Sequence, residues 1–309
     1  MKSVKHNILV FILCSFSAAV FTPAHAQSQF AIGVRGSGQL WLPKTTDAGT
    51  EVKGSMGGDG LLDLRYAYYG SVSPSFELGA TAGIGIGYGV AGIHGKNSAT
   101  FTNVDYLGNT MNYTTSATFT QSESFARMDV SLMLAMRAGG FVANIGPRLM
   151  VPFAAKSDLT IDEATIAALY PKYNVTVTNE LITGKLETPY LSPLTAHLSS
   201  LTVLLGLEVG YEFHVGNNAI GIQAFADLGL WSNLSPLTSN LSPLITVSPI
   251  TASGTPAEVT VGSPDALVSG KRFVDFGLRV YYAFSFDRSR DKDGHASDTR
   301  EHHNRYLKY

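Results

Sequence analysis

The sequence predicts an all-β protein: an eight-stranded antiparallel up-and-down transmembrane β-barrel with long extracellular loops and short periplasmic turns. Three observations carry that prediction. Apolar and polar residues alternate with period two in eight separate segments. The connections between these segments are short and long in turn. Aromatic residues gather at the ends of the segments that adjoin the short connections.

The alternation is clearest in Phe30–Leu42, where Phe30, Ile32, Val34, Leu40 and Leu42 oppose Arg35, Ser37 and Gln39. Leu62–Gly70 sets Leu62, Leu64, Tyr66 and Tyr68 against Asp63, Arg65, Ala67 and Tyr69. Phe76–Gly92 sets apolar residues against Glu77, Thr81 and a row of glycines. Ala126–Ala138 sets Met128 to Met136 against Arg127, Asp129 and Arg137, and Phe141–Val151 opposes Asn144 and Arg148. Leu201–His214, Ile220–Trp231 and Val274–Phe286 complete the series, with Glu208, Glu212, Asp227, Asp275 and Arg279 on the polar side. A helix would scatter these charges around its circumference. A soluble barrel or sandwich would bury the apolar side in shorter strands. Charges on one side and unbroken apolar residues on the other fit a polar lumen inside a lipid-facing wall.

Composition agrees. Charged residues make up 15% of the chain, against about 25% in an average globular protein. Glycine (31 residues), tyrosine (14) and phenylalanine (16) are plentiful. Residues 1–26 have the pattern of a signal peptide: Lys2 and Lys5, an apolar run from Ile8 to Val20, then Ala24-His25-Ala26 before a mature start at Gln27. Its removal takes the only cysteine, Cys14, and moves the net charge from −2 to −4, leaving no basic field for nucleic acid. The expected organisation is therefore signal peptide (1–26), barrel (27–286) and a polar, disordered periplasmic tail (287–309), in the outer membrane of a Gram-negative bacterium.

Three connections are tight, Ser71–Ser75, Gly139-Gly140 and Val215–Asn218. Four are long, Pro43–Gly60, His94–Ser124, Pro152–Ser200 and Ser232–Lys271. Both termini are then periplasmic. Strand direction alone places Tyr66, Tyr68, Phe76, Phe141, Tyr211, Phe213, Tyr282, Phe284 and Phe286 in one periplasmic aromatic girdle.

On these features the chain resembles the small eight-stranded outer-membrane barrels of the OmpA, OmpX and PorT-like kind, over roughly Phe30 to Phe286. Asp275, Gly277, Val280 and Tyr282 in the last segment resemble the signal read by the barrel-assembly machinery, which the resemblance implies as a partner. Gly146-Pro147-Arg148-Leu149 is similar to a stretch common in PorT-like barrels. The 23 residues after Phe286 are too few for the peptidoglycan-binding domain of OmpA.

The inward charges are the main candidate site. Arg35, Arg65, Arg148, Glu208, Asp227 and Arg279 fall at similar mid-heights, with Glu77, Arg137, Glu212 and His214 lower. An eight-stranded barrel is just wide enough for side chains to fill, so these charges are expected to plug the lumen, paired because an unpaired buried charge is costly. Matched heights predict three pairs: Glu77 with Arg137, Arg148 with Glu208, and Asp227 with Arg279. His197 and Ser199, followed by Glu208, have the residue types of an acyl-transfer site. Their parity puts Glu208 on the opposite side of the wall, so no catalytic site is expected. His295, His302 and His303 in the tail are read as solvated residues, with no metal or cofactor expected. Leu-Ser-Pro-Leu recurs at 191–194, 234–237 and 241–244 in apolar loops. Such loops either cap the barrel or form an exposed contact surface.

The expected function is non-enzymatic: a plugged barrel embedded in outer-membrane lipid, acting through its surface loops in adhesion, partner binding or envelope integrity. A narrow or gated channel is the alternative, and a lipid A-modifying enzyme a weaker one.

Overall fold

The computed structural model describes residues 26–45, 49–104, 107–170, 175–180, 184–185, 201–231, 244–248 and 258–287. The signal segment, the tail histidines, His197, Ser199 and the first two Leu-Ser-Pro-Leu repeats lie outside these residues.

Five strands open the chain: β1 (Ala26–Thr45), β2 (Thr50–Ser73), β3 (Phe76–Val104), β4 (Thr110–Ala138) and β5 (Phe141–Tyr170). Two short ones, β6 (Val175–Glu180) and β7 (Gly184–Lys185), pair with the outer end of β5. Then come β8 (Thr202–Val215), β9 (Asn218–Gly229), a small hairpin β10 (Ile245–Ser248) and β11 (Glu258–Val261), and β12 (Val268–Asp287). A single 3₁₀ turn, Pro264–Leu267, precedes β12.

Eight of these strands close into a ring, each antiparallel to its neighbours: β1-β2-β3-β4-β5-β8-β9-β12, with β12 returning to β1. Closure removes the open edges a sheet would otherwise expose. The short connections are two-residue turns, among them Gly139-Gly140 and Gly216-Asn217. Gly139 and Gly216 sit at φ +59° and +65°, where a side chain would be strained.

Three of the expected long loops are mostly strand. Instead of spanning Pro43–Gly60, the β1–β2 connection is only residues 46–49. In place of His94–Ser124 it is only 105–109. The Pro152–Ser200 stretch begins with the outer half of β5 and also contains β6 and β7.

The physical reason is an inversion of polarity along a continuous strand. Below Arg127, β4 turns apolar Met128, Val130, Leu132, Leu134 and Met136 outward and Arg127, Asp129 and Arg137 inward. Above it, the outward residues are Ser124, Ser122, Thr120, Thr118 and Thr114, and the buried inward ones include Phe125, Phe119, Ala117, Tyr113 and Met111. Parity is unchanged while the chemistry of the two faces swaps. β3 does the same, with Ile93 inward, whereas β5 reaches the same result with a change of parity, from even inward residues such as Arg148 to odd ones such as Leu159. A β-bulge on β5 near Ala154 (φ +49°) marks the changeover, where the register with β4 shifts between Ser124 and Ala126.

The described part of the fourth loop folds inward. Leu244, Ile245 and Val261, with Leu267 and Val268, join Trp41, Ile93, Phe119, Phe125, Leu159 and Phe273 in a buried apolar core, and Val247 joins a second cluster with Met111, Tyr113, Ile166 and Ala168. Its backbone is tied to the wall. Leu244 N–H donates to Asn97 Oδ1 at 3.1 Å, and Asn103 Nδ2 donates to the Val247 carbonyl at 2.7 Å. The hairpin is a cap inside the barrel mouth, which resolves the two loop readings for its described part.

Candidate functional site: a layered lumen

From the short-turn end upward, inward side chains form stacked layers. The lowest centres on Arg137. Its guanidinium reaches Glu77 at 3.2 Å, Glu212 at 2.8 Å and Gln29 at 2.6 Å, and lies 4.1 Å from the Tyr69 ring centroid. Tyr281 donates to Glu212 Oε1 at 2.7 Å. His214, expected in this layer, is instead exposed beside the Gly216-Asn217 turn.

The middle layer joins five strands. Glu208 takes a bidentate pair from Arg65, a bond from Arg148 Nη2 at 2.7 Å and one from Asn144 at 2.9 Å. Arg148 also donates to Asp227 at 2.7 Å, and Asp227 accepts from Arg35 at 2.8 Å. Arg35 lies 3.8 Å from the Phe225 ring centroid. Glu208 is wholly buried inside the lumen, away from the outer wall that a lipid-facing acyl-transfer site would need.

Arg279 departs from expectation. The register sets it opposite Gln223, while Asp227 faces Asp275. Arg279 Nε donates to Asp63 at 2.9 Å, and Nη1 to Gln223 at 3.1 Å. The predicted Asp227–Arg279 pair is therefore replaced by Asp227 with Arg35 and Arg148, and Arg279 with Asp63. The reason is local. β1 lies between β12 and β2, and its inward residue at this height is Gly33, opposite both Asp63 and Tyr281. A Cβ on Gly33 would lie 2.7 Å from Asp63 Oδ1 and 2.9 Å from Tyr281 Cβ. The absent side chain opens a path across β1.

Above lies a layer that matched-height reasoning did not assemble. Arg127 donates to Asp59, to Asp129 at 2.6 and 3.0 Å, and to Asp275 at 3.0 Å. Asp275, read in the sequence as part of an assembly signal, has its side chain buried in this layer. The available signal was the inward parity of Arg127, Asp129 and Asp275. Asp59 sits in a glycine-rich stretch where alternation was unreadable.

The highest buried ion group among the described residues lies under the cap. Lys271 donates to Glu123 at 2.8 Å and to Asp265 at 2.6 Å, all three buried. Asp265 belongs to the 3₁₀ turn, so this triad pins the fourth loop to β4 and β12.

A cavity of about 20 Å³, room for about one water, lies among Gln29, Arg65, Tyr69, Glu212 and Tyr281. Among the described residues there is no cluster of histidine, cysteine and carboxylate groups that could hold a metal.

The outer wall carries the aromatic set. Tyr66, Phe141, Tyr211, Phe213, Tyr282, Phe284 and Phe286 are exposed, and Tyr68 and Phe76 partly so. Register brings them together near the short turns: Phe30 lies between Tyr66 and Phe284, and Phe141 opposite Tyr211. Gly277 and Val280 lie on β12 with Tyr282, Val280 facing out and Gly277 against the β1 backbone at Gly36 and Ser37.

Several solved structures are similar to this chain. They include the outer-membrane protease OmpT from Escherichia coli (9% identity, 86% of this chain and 98% of that one, TM-score 0.23). The translocator domain of the autotransporter NalP from Neisseria meningitidis is another (10%, 92% and 98%, TM-score 0.23). Scores this low carry neither an activity nor a partner over to this chain. No family model matches the sequence, and no curated protein does.

Proposed function

We propose that this chain is a non-enzymatic outer-membrane protein whose barrel is closed to solutes and whose work is done at its outer end. The observation that carries the reading is the filling of the lumen. Three tiers of paired charges, the Lys271 triad and an apolar core completed by the described part of the fourth loop occupy the lumen, and the cavity between Arg65 and Glu212 has room for about one water.

The outer wall supports the membrane setting. Ile32, Val34, Leu62, Leu64, Ile84, Ile86, Val130, Leu134, Leu207, Ile222, Leu278 and Val280 form a continuous exposed apolar belt. In water such a belt would be a large aggregation surface; in lipid it is the expected exterior. Adhesion, partner binding and envelope integrity all use the polar upper barrel, which stands beyond the belt.

Planar-bilayer recordings test the reading. The protein should insert, shown by heat-modifiable migration, yet give no stepwise conductance. Maleimide labelling of single cysteines should reach Asn109→Cys on intact cells but not Gly140→Cys. Steady ion conductance by the wild type would reject the closed-barrel reading in favour of a narrow channel.

A further inference from the structure

The outward face of the barrel is not uniformly polar above the belt. On one side, from β12 through β1 and β2 to β3, it carries Arg272, Lys44, Lys53 and Lys96, all exposed, together with His94. Register fixes their neighbourhood: Arg272 is opposite Leu42, Lys44 opposite Gly270, Lys53 opposite His94 and Lys96 opposite Glu51. Gly54 lies against the Trp41 backbone, so β1 and β2 stay side by side at this height. With strands about 4.8 Å apart, four strands place these groups within about 15 Å. Among the described residues the outward acid on this face is Glu51, which pairs with Lys53 at 2.7 Å. The other outward acids described at this height include Asp158, Asp162 and Glu163, exposed on β5.

Immediately above the cations the same wall becomes a lattice of hydroxyls. Ser98, Thr100 and Thr102 on β3 stand opposite Ser116, Thr114 and Asn112 on β4. Thr100 and Thr114 are hydrogen-bonded at 3.3 Å, and Thr102 and Asn112 at 3.0 Å. From below upward this face therefore presents an apolar belt, cations, then neutral hydrogen-bonding groups. That order matches one kind of molecule: acyl chains, then phosphates, then sugar.

We propose that the Arg272–Lys44–Lys53–Lys96 face is a binding site for the phosphate groups of a phosphorylated glycolipid standing beside the barrel. The site rests on the membrane reading above, which sets the cations at the level of the headgroups. Lys and Arg at that level are attracted to anionic lipid, each contributing about a factor of five in affinity. Their grouping on four adjacent strands, with Lys156 the other exposed cation described at this height, makes this a discrete site rather than a general attraction around the whole rim.

The test uses the full mature chain refolded in neutral detergent, titrated with diphosphoryl lipid A and read by native mass spectrometry. Wild type should bind it, and the fourfold variant K44Q/K53Q/K96Q/R272Q should bind at least about tenfold more weakly. Lys156→Gln, on β5, should leave binding unchanged. Equal binding by the fourfold variant, equal binding of the dephosphorylated lipid, or equal binding of phosphatidylglycerol would each overturn the proposal. Insertion of both proteins into zwitterionic bilayers, followed by heat-modifiable migration, checks folding and the membrane reading separately. A wild type that inserts but does not bind lipid A sinks this proposal alone.

Discussion

Arg279 of β12 and Asp63 of β2 meet at 2.9 Å across Gly33, over a strand that has no side chain in the way. The pair exists because of what β1 lacks at that height. Substituting Gly33 by alanine should separate the two and crowd Tyr281. The expected loss is about 3 kcal/mol, near the lower end for breaking a buried ion pair. Urea unfolding in detergent measures it, and a loss under about 1 kcal/mol would mean that Asp63 and Arg279 re-pair around the new methyl.

Double-mutant cycles should separate true partners from residues merely at similar height. Arg65 and Glu208 are in direct bidentate contact, so their coupling should be about 2–3 kcal/mol. Asp227 and Arg279, which the register keeps apart, should couple by less than about 0.5 kcal/mol. The same unfolding assay reads both, and a strong Asp227–Arg279 coupling would contradict the layer arrangement.

Lys271 is the cation between Glu123 and Asp265 under the cap. Lys271→Met leaves two carboxylates buried together, and the cost should be about 3 kcal/mol or more. The 3₁₀ turn should loosen with it, so amide exchange at Ala266 and Leu267 should rise more than exchange at the β4–β5 turn. Uniform exchange changes along the chain would mean that the triad does not anchor the loop.

The last strand should govern assembly. Tyr282 and Phe284 stack edge-on at 4.8 Å, and Phe286 is exposed beside them. Replacing all three by serine removes the interfacial aromatics of β12, and heat-modifiable protein in the membrane fraction should fall below about a tenth of wild type. Normal levels of folded barrel would show that these rings are dispensable.

Much of this design was readable in the sequence because alternation states which way each side chain faces. The eight barrel strands and the inward position of Arg35, Arg65, Arg148 and Glu208 follow from parity, and the antiparallel course of the strands from their alternating connections. The upper halves of β3, β4 and β5 were hidden for a chemical reason. Once outward residues become threonine and serine, as at Thr114 and Thr120, a strand in water reads like a polar loop. Pairing was only partly legible. Glu77–Arg137 and Arg148–Glu208 are lateral neighbours within a strand pair or nearly so, whereas Arg279 chose a partner two strands away through a gap. Parity gives the side of the wall, but reach across a small barrel depends on which intervening residues are glycine. The cap was legible only as composition, because its hydrophobes contact residues far away in sequence.

The middle tier of charges also bears on how the barrel forms. Arg35 and Asp227 are 192 residues apart, Arg65 and Glu208 143, and Asp63 and Arg279 216. Until β12 arrives beside β1, Arg279 has no partner on β2, and Arg35 has no β9 to meet. Contacts of such long sequence separation reward the chain only at the end of folding. The seam between the first and last strands and the locking of the interior are therefore one event, and a chain truncated within β12 would stall with its arginines solvated rather than close a smaller ring.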